Sequence, residues 1–151
     1  MGEQTMTGAA AVPPSSVPFE PLRHAVEYTG EAGCIAEARS VTMVFLDRLR
    51  AEWCAVLDER KAGDILLVVS ELVTNADRHS LGPYLLDLEG TDQQLAVTVY
   101  DSSHAVPEVY EPDPTRVGGH GLEIVRALST ELTVERVPVG KRTRALLDLR
   151  P

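Results

Sequence analysis

Four short stretches of this 151-residue sequence carry side chains at spacings that chemistry could use. The first is LLVVSELVTNADRHS, Leu66 to Ser80, where Glu71, Asn75 and His79 stand four residues apart. At about 100° per residue, Glu71, Asn75, Arg78 and His79 share about a quarter-turn of a helix, while Ile65, Val69, Leu72, Val73 and Ala76 take the neighbouring arc. One arc packs and its edge is polar. An amide oxygen is a hard donor suited to Mg2+, which keeps several of its waters. A carboxylate one turn earlier suits proton abstraction from a hydroxyl or a water. The same spacing also serves a solvated edge held by i,i+4 hydrogen bonds, and spacing alone leaves both readings open.

The second is Asp101, which follows the alternating run VTVY. Such an aspartate forms turns, or, when buried, accepts from a ligand amine. The third is GGHGLEIV, Gly118 to Val125. Gly118, Gly119 and Gly121 stand at the mouth of a helix, where backbone can approach an anion and free N–H groups attract phosphate. Glycines like these also end flexible loops. The pattern is not a Rossmann fingerprint, and GKRT, Gly140 to Thr143, is not a Walker loop, since the upstream glycine is missing and a strand follows. The fourth is Thr143 in that last strand, ordinary β-propensity unless it lies beside Asp101 in the sheet.

These groups need elements to position them. The pattern predicts a first strand in RHAVEYTG, starting at Arg23. A helix follows over Ala32 to Trp53, with Ile35, Ala38, Val41, Phe45 and Leu49 inward and Arg39, Asp47, Arg48 and Arg50 on a solvated face. A second helix runs from about Ala62 to His79, with Asp64 as cap or dipole partner and Gly82 and Pro83 as stop signals. YLLDLEG and QLAVTVYDS form a hairpin around TDQ. A long Pro/Gly loop, HAVPEVYEPDPTRVGGHG, leads into a short helix, LEIVRALSTE, with Leu122, Val125, Ala127 and Leu128 on its apolar side. A last hairpin turns at VPVGK. The order predicts an α/β fold of α+β type: a two-layer sandwich in which helices cover one face of a mixed, mostly antiparallel sheet. Residues 1–21, rich in small residues and prolines, are expected to form a disordered arm, and residues 22–151 a single domain.

The formal charge is −9, from 14 basic and 23 acidic residues, and no basic patch stands out, so duplex nucleic acid is a poor partner. No stretch approaches the roughly 20 apolar residues of a membrane span. With no basic-then-apolar leader, a cytoplasmic protein is expected. Cys34 and Cys54 sit in no CxxC pair and near no histidine at metal spacing, and are read as reduced and structural.

Taken in this order, SELVTNADRH, VYDSS and GGHGLEIV resemble the signatures of the GHKL ATPases, which share the Bergerat ATP-binding fold with histidine kinases and type II topoisomerases. From about Arg23 to Leu149 the chain is similar to the bacterial anti-sigma-factor serine kinases and their actinobacterial ATP-binding relatives, and GKRTRALLDL resembles that family's closing strand. The resemblance implies ATP and Mg2+ as cofactors. It implies Asn75 as the metal ligand and Glu71 as the base that takes the proton of a serine hydroxyl on a protein substrate. It implies Asp101 on the adenine amino group with Thr143 assisting through water, and Gly119, Gly121 and Leu122 on the phosphate side. Arg116 becomes a candidate phosphate or partner contact within an ATP lid from Ala105 to Gly118, and His79 a structural hydrogen-bonding residue. The implied partners are a STAS-type anti-sigma-factor antagonist, which is phosphorylated, and a sigma factor, which is sequestered by partner switching. A homodimer is left open, since relatives of this kind often dimerise through the sheet or first helix. Two departures stand out: Ser103 and Ala105 replace expected glycines, and the lid carries Glu108, Glu111 and Asp113 beside a triphosphate. They raise the alternative of a catalytically weak or inactive module that acts only through protein contacts.

Overall fold

A computed structural model of the chain describes residues 18–103 and 120–151. In chain order the elements are β1 (Leu22–Tyr28), α1 (Cys34–Glu52), α2 (Glu59–His79), β2 (Tyr84–Gly90), β3 (Gln94–Asp101), α3 (Gly121–Leu128), β4 (Glu131–Val137) and β5 (Gly140–Asp148). The expected arm falls outside the described residues up to 17, and the expected lid lies wholly outside them.

The strands form one sheet in the order β1-β2-β3-β5-β4. Every described pair is antiparallel, so the expected mixed character is not found. The reason is topological. Helices α1 and α2 run down and back, which returns the chain to the end of the sheet where β1 stopped; β2 therefore runs against it, pairing Tyr84 with Tyr28. Both remaining hairpins are antiparallel by construction.

Alternation decides which face is covered. Leu86, Leu88, Leu95, Val97, Val99, Ala145 and Leu147 point toward the helices and are buried. They meet Ala38, Phe45, Leu46 and Leu49 of α1, Ile65, Val68, Val69, Leu72, Val73 and Ala76 of α2, and Leu122 and Val125 of α3. Each Val, Leu, Ile or Phe among them contributes roughly 1.5–3 kcal/mol when fully buried. The other face is polar: across the strands run Ala25, Asp87, Thr98, Arg144 and Thr133. There the Arg23 guanidinium donates to both oxygens of the buried Asp87 carboxylate, at 3.2 and 2.7 Å.

Helix α2 begins three residues before the expected Ala62. Asp58, in an extended conformation, accepts from the Lys61 N–H at 2.8 Å and is the N-cap; Asp64 lies a turn and a half inside the helix. Ala127 of α3 is exposed, two residues (about 200°) round from buried Val125, so only Leu122 and Val125 are fully inside. On α1, Arg39 is not merely solvated: it donates to Ser70 Oγ at 2.7 Å, clasping α1 to α2. Both cysteines are free; Cys34 is buried in the core, whereas Cys54 is exposed. Among the described residues no helix is long and apolar enough to cross a membrane.

Candidate functional site

Glu71 and Asn75 lie half-buried on the edge of α2, one turn apart, beside the buried Leu72 and Ala76. Among the described residues neither side chain has a hydrogen-bond or ion-pair partner. Above Glu71 sits the N-terminus of α3. A Cβ added to Gly121, the first residue of that helix, would lie 2.7 Å from Glu71 Oε1. The absence of a side chain at Gly121 is what lets the helix mouth rest on the carboxylate. Among the described residues no side chain caps that mouth; His120, the N-cap residue, has its Nδ1 2.9 Å from Glu123 Oε2. Leu122 follows with its side chain in the core, so only its backbone faces the mouth.

The other end of the site is built on β3 and β5. Asp101 is 3% exposed. Its Oδ1 accepts from the Ser103 N–H at 2.8 Å, an Asx-type turn at the strand end. Its Oδ2 lies 3.4 Å from Lys141 Nζ. The register pairs Asp101 with Lys141 and Val99 with Thr143. Thr143 is therefore on the same face as Asp101 and buried, but one step down the strand; the residue directly opposite the carboxylate is Lys141. Sequence reasoning missed Lys141 because GKRT was tested only as a phosphate loop. The signal that could have found it is alternation: Lys141 and Thr143 share a face with the apolar Ala145 and Leu147, which places the lysine inward.

Gly140 makes this pairing possible. Its φ is +148°, and a Cβ there would lie 2.2 Å from the backbone oxygen of Asp101. Ser103, in contrast, carries no strained backbone, since Cys54 is the one non-glycine residue with positive φ among those described. Serine in place of glycine at that position costs nothing in φ.

The two ends are joined by hydroxyls. Ser80, just after α2, and Ser102, just after Asp101, bring their Oγ atoms to 2.9 Å. Leu81 N donates to Ser102 Oγ at 3.0 Å, and Ser102 N donates to Ser80 Oγ at 3.2 Å. Nearby, Tyr84 O–H donates to Asp77 Oδ1 at 2.9 Å; burial first, and that carboxylate second, push the phenol well above its ordinary pKa. His79 and Arg78 are exposed, and His79 makes no hydrogen bond within the described residues, contrary to the structural role expected for it. The helix end is stopped and held by Ser80 instead, so the imidazole has nothing to brace. Arg116 and Gly119 lie outside the described residues.

Within the described residues no set of three His, Cys, Asp or Glu side chains is placed to hold a metal. A cation at Asn75 would draw most of its oxygens from water and from a polyanionic ligand, as Mg2+ commonly does. The donor chemistry of Asn75 and Glu71 fits that arrangement.

Residues 34–147 match the family described as the histidine kinase-like ATPase domain. The chain is 32% identical over 114 residues to the sensor histidine kinase PdtaS of Mycobacterium tuberculosis, in strains CDC 1551/Oshkosh and H37Rv. That match covers 61% of this chain and 22% of PdtaS, so the chain spans about a fifth of the length of these relatives. Among solved structures, the RsbU and RsbW domains of Rv1364c from Mycobacterium tuberculosis are similar, with a TM-score of 0.61 at 17% identity, over 86% of this chain and 33% of that one. Likeness at that identity speaks for the fold. The family match runs from the start of α1 to the penultimate residue of β5, across every element of the site just described, and the chain belongs to the histidine kinase-like ATPase domain family.

Proposed function

We propose that the chain is an ATP-binding regulator of the anti-sigma-factor type, which transfers the γ-phosphoryl group of ATP to a serine of a STAS-type antagonist and sequesters a sigma factor by partner switching. One observation carries the reading: Glu71, without a hydrogen-bond or ion-pair partner among the described residues, lies under the mouth of α3, at Gly121, and one turn from Asn75. Phosphoryl transfer needs positioning and charge neutralisation more than covalent help. Bound ATP would bring the γ-phosphoryl group and Mg2+ the compensating charge. Within the chain, the Asn75 carboxamide would ligand the metal and the first N–H groups of α3, from Gly121 and Leu122, would face phosphate oxygens. Glu71 would take the proton of the attacking serine hydroxyl. Asp101, fixed through Oδ1 by the Ser103 N–H, would accept from the adenine amino group, with Thr143 near it on the same face. Arg116 and Gly119 would complete the phosphate side.

The test is a calorimetric titration with Mg-ATP, followed by labelled ATP in the presence of a STAS-type antagonist. Saturable binding at about micromolar to millimolar concentration is expected. Asn75→Ala should abolish it, and Glu71→Gln should keep binding while losing transfer. Transfer that persists in Glu71→Gln would remove Glu71 from the role.

A second reading is a module that keeps the fold for protein contacts and binds nucleotide weakly. The observation favouring it is that Asp101 is already engaged, by the Ser103 N–H and by Lys141. Absence of heat on titration with Mg-ATP and Mg-ADP, with retained sigma-factor capture, would select it.

A further inference from the structure

Lys141 is nearly unexposed, its side chain at 1%, in a row otherwise made of Thr143, Ala145 and Leu147. Lysine is almost never found so deep unless paired, because an isolated buried ammonium is very costly. Its partner is Asp101, side chain 2% exposed, with Nζ to Oδ2 at 3.4 Å. That distance exceeds the roughly 2.7–2.9 Å of an N+–H···O− hydrogen bond. The other carboxylate oxygen is held by the Ser103 N–H. The pair therefore offers an acceptor, Oδ2, beside a donor, Nζ, neither consumed by a short bond between them.

We propose that Lys141 is a base-recognition residue. The Asp101–Lys141 pair reads the adjoining donor and acceptor on the edge of a 6-aminopurine: Asp101 Oδ2 accepts from the exocyclic amino group, and Lys141 Nζ donates to the ring nitrogen N1. The proposal rests on the nucleotide reading above and adds the residue that meets the ring itself.

The test pairs an altered nucleotide with an altered residue. Native protein is titrated calorimetrically with Mg-ATP and with Mg-1-deaza-ATP, in which N1 is replaced by C–H. The analogue should bind at least about tenfold more weakly, the loss expected for a hydrogen bond to a charged group. In Lys141→Met, which keeps an unbranched side chain out to Cε and removes the donor, ATP should weaken by a similar factor while the analogue does not, so the preference disappears. Equal affinity of native protein for the two nucleotides, or a preference that survives intact in Lys141→Met, overturns the proposal and leaves the nucleotide reading standing. Failure of native protein to bind Mg-ATP overturns both. Should Lys141→Met not fold, the native comparison of the two nucleotides decides on its own.

Discussion

Replacing Lys141 by methionine should destabilise the protein far more than the loss of one surface charge would. The pair sits at 3.4 Å with side chains 1% and 2% exposed. At an effective dielectric of about 20 the gross attraction at that separation is about 5 kcal/mol. Much of it is offset by taking two ions out of water, so the pair adds little net stability over an apolar pair. Removing one partner is different, because the other charge stays buried and uncompensated. The expected cost of Lys141→Met is about 3–5 kcal/mol. That is a large share of the roughly 5–15 kcal/mol of a typical domain, and at about 2–4 °C per kcal/mol it lowers the melting temperature by roughly 6–20 °C. Asp101→Asn combined with Lys141→Met removes both charges, and should recover all but about 1–2 kcal/mol of native stability. Urea unfolding followed through the single tryptophan, Trp53, half-buried against the core at the end of α1, measures all the variants. A cost below about 1 kcal/mol for the single change, or single and double changes that add within about 0.5 kcal/mol, would refute the reasoning.

Three further outcomes follow from the geometry. Gly140→Ala forces a Cβ to within 2.2 Å of the Asp101 backbone oxygen at a φ of +148°, and should cost at least about 2 kcal/mol in urea unfolding while weakening Mg-ATP binding at the base end. Gly121→Ala meets only the flexible Glu71 carboxylate, at 2.7 Å; stability should change by less than about 1 kcal/mol, since alanine favours the helix, but phosphoryl transfer should fall at least about tenfold because the carboxylate is displaced, and unchanged transfer would contradict the placement of Glu71. The side-chain and backbone hydrogen bonds to Arg150 push the Asp148 carboxyl down to about 2. Its stabilising effect is therefore present above the unfolded value of about 3.9 and is lost as pH falls toward 2; NMR titration should place its midpoint there, and Arg150→Ala should return it toward the unfolded value.

Long periodic segments were legible in the sequence for a physical reason. In α2, an apolar arc of Ile65, Val69, Leu72, Val73 and Ala76 leaves one way to face the sheet, and all five are buried. The same arc placed Glu71 and Asn75 on its edge. What could not be read were contacts set by partners distant in the chain. The start of α2 was misplaced for a local reason: the pattern offers Asp64 as the cap, whereas the helix begins earlier and Asp58 caps it. The Asp101–Lys141 pairing depends on the register of β3 against β5, and one residue of slip would have turned the lysine outward. Thr143 was noticed for its type, whereas Lys141 matters for its position. His79 drew attention by spacing alone, and spacing does not supply a partner.

The Ser80–Ser102 bracket has a mechanical consequence. It welds the end of the helix bearing Glu71 and Asn75 to the end of the strand bearing Asp101, so the rear wall of the cleft is one rigid piece. A change at either serine is therefore felt at both ends of the site at once.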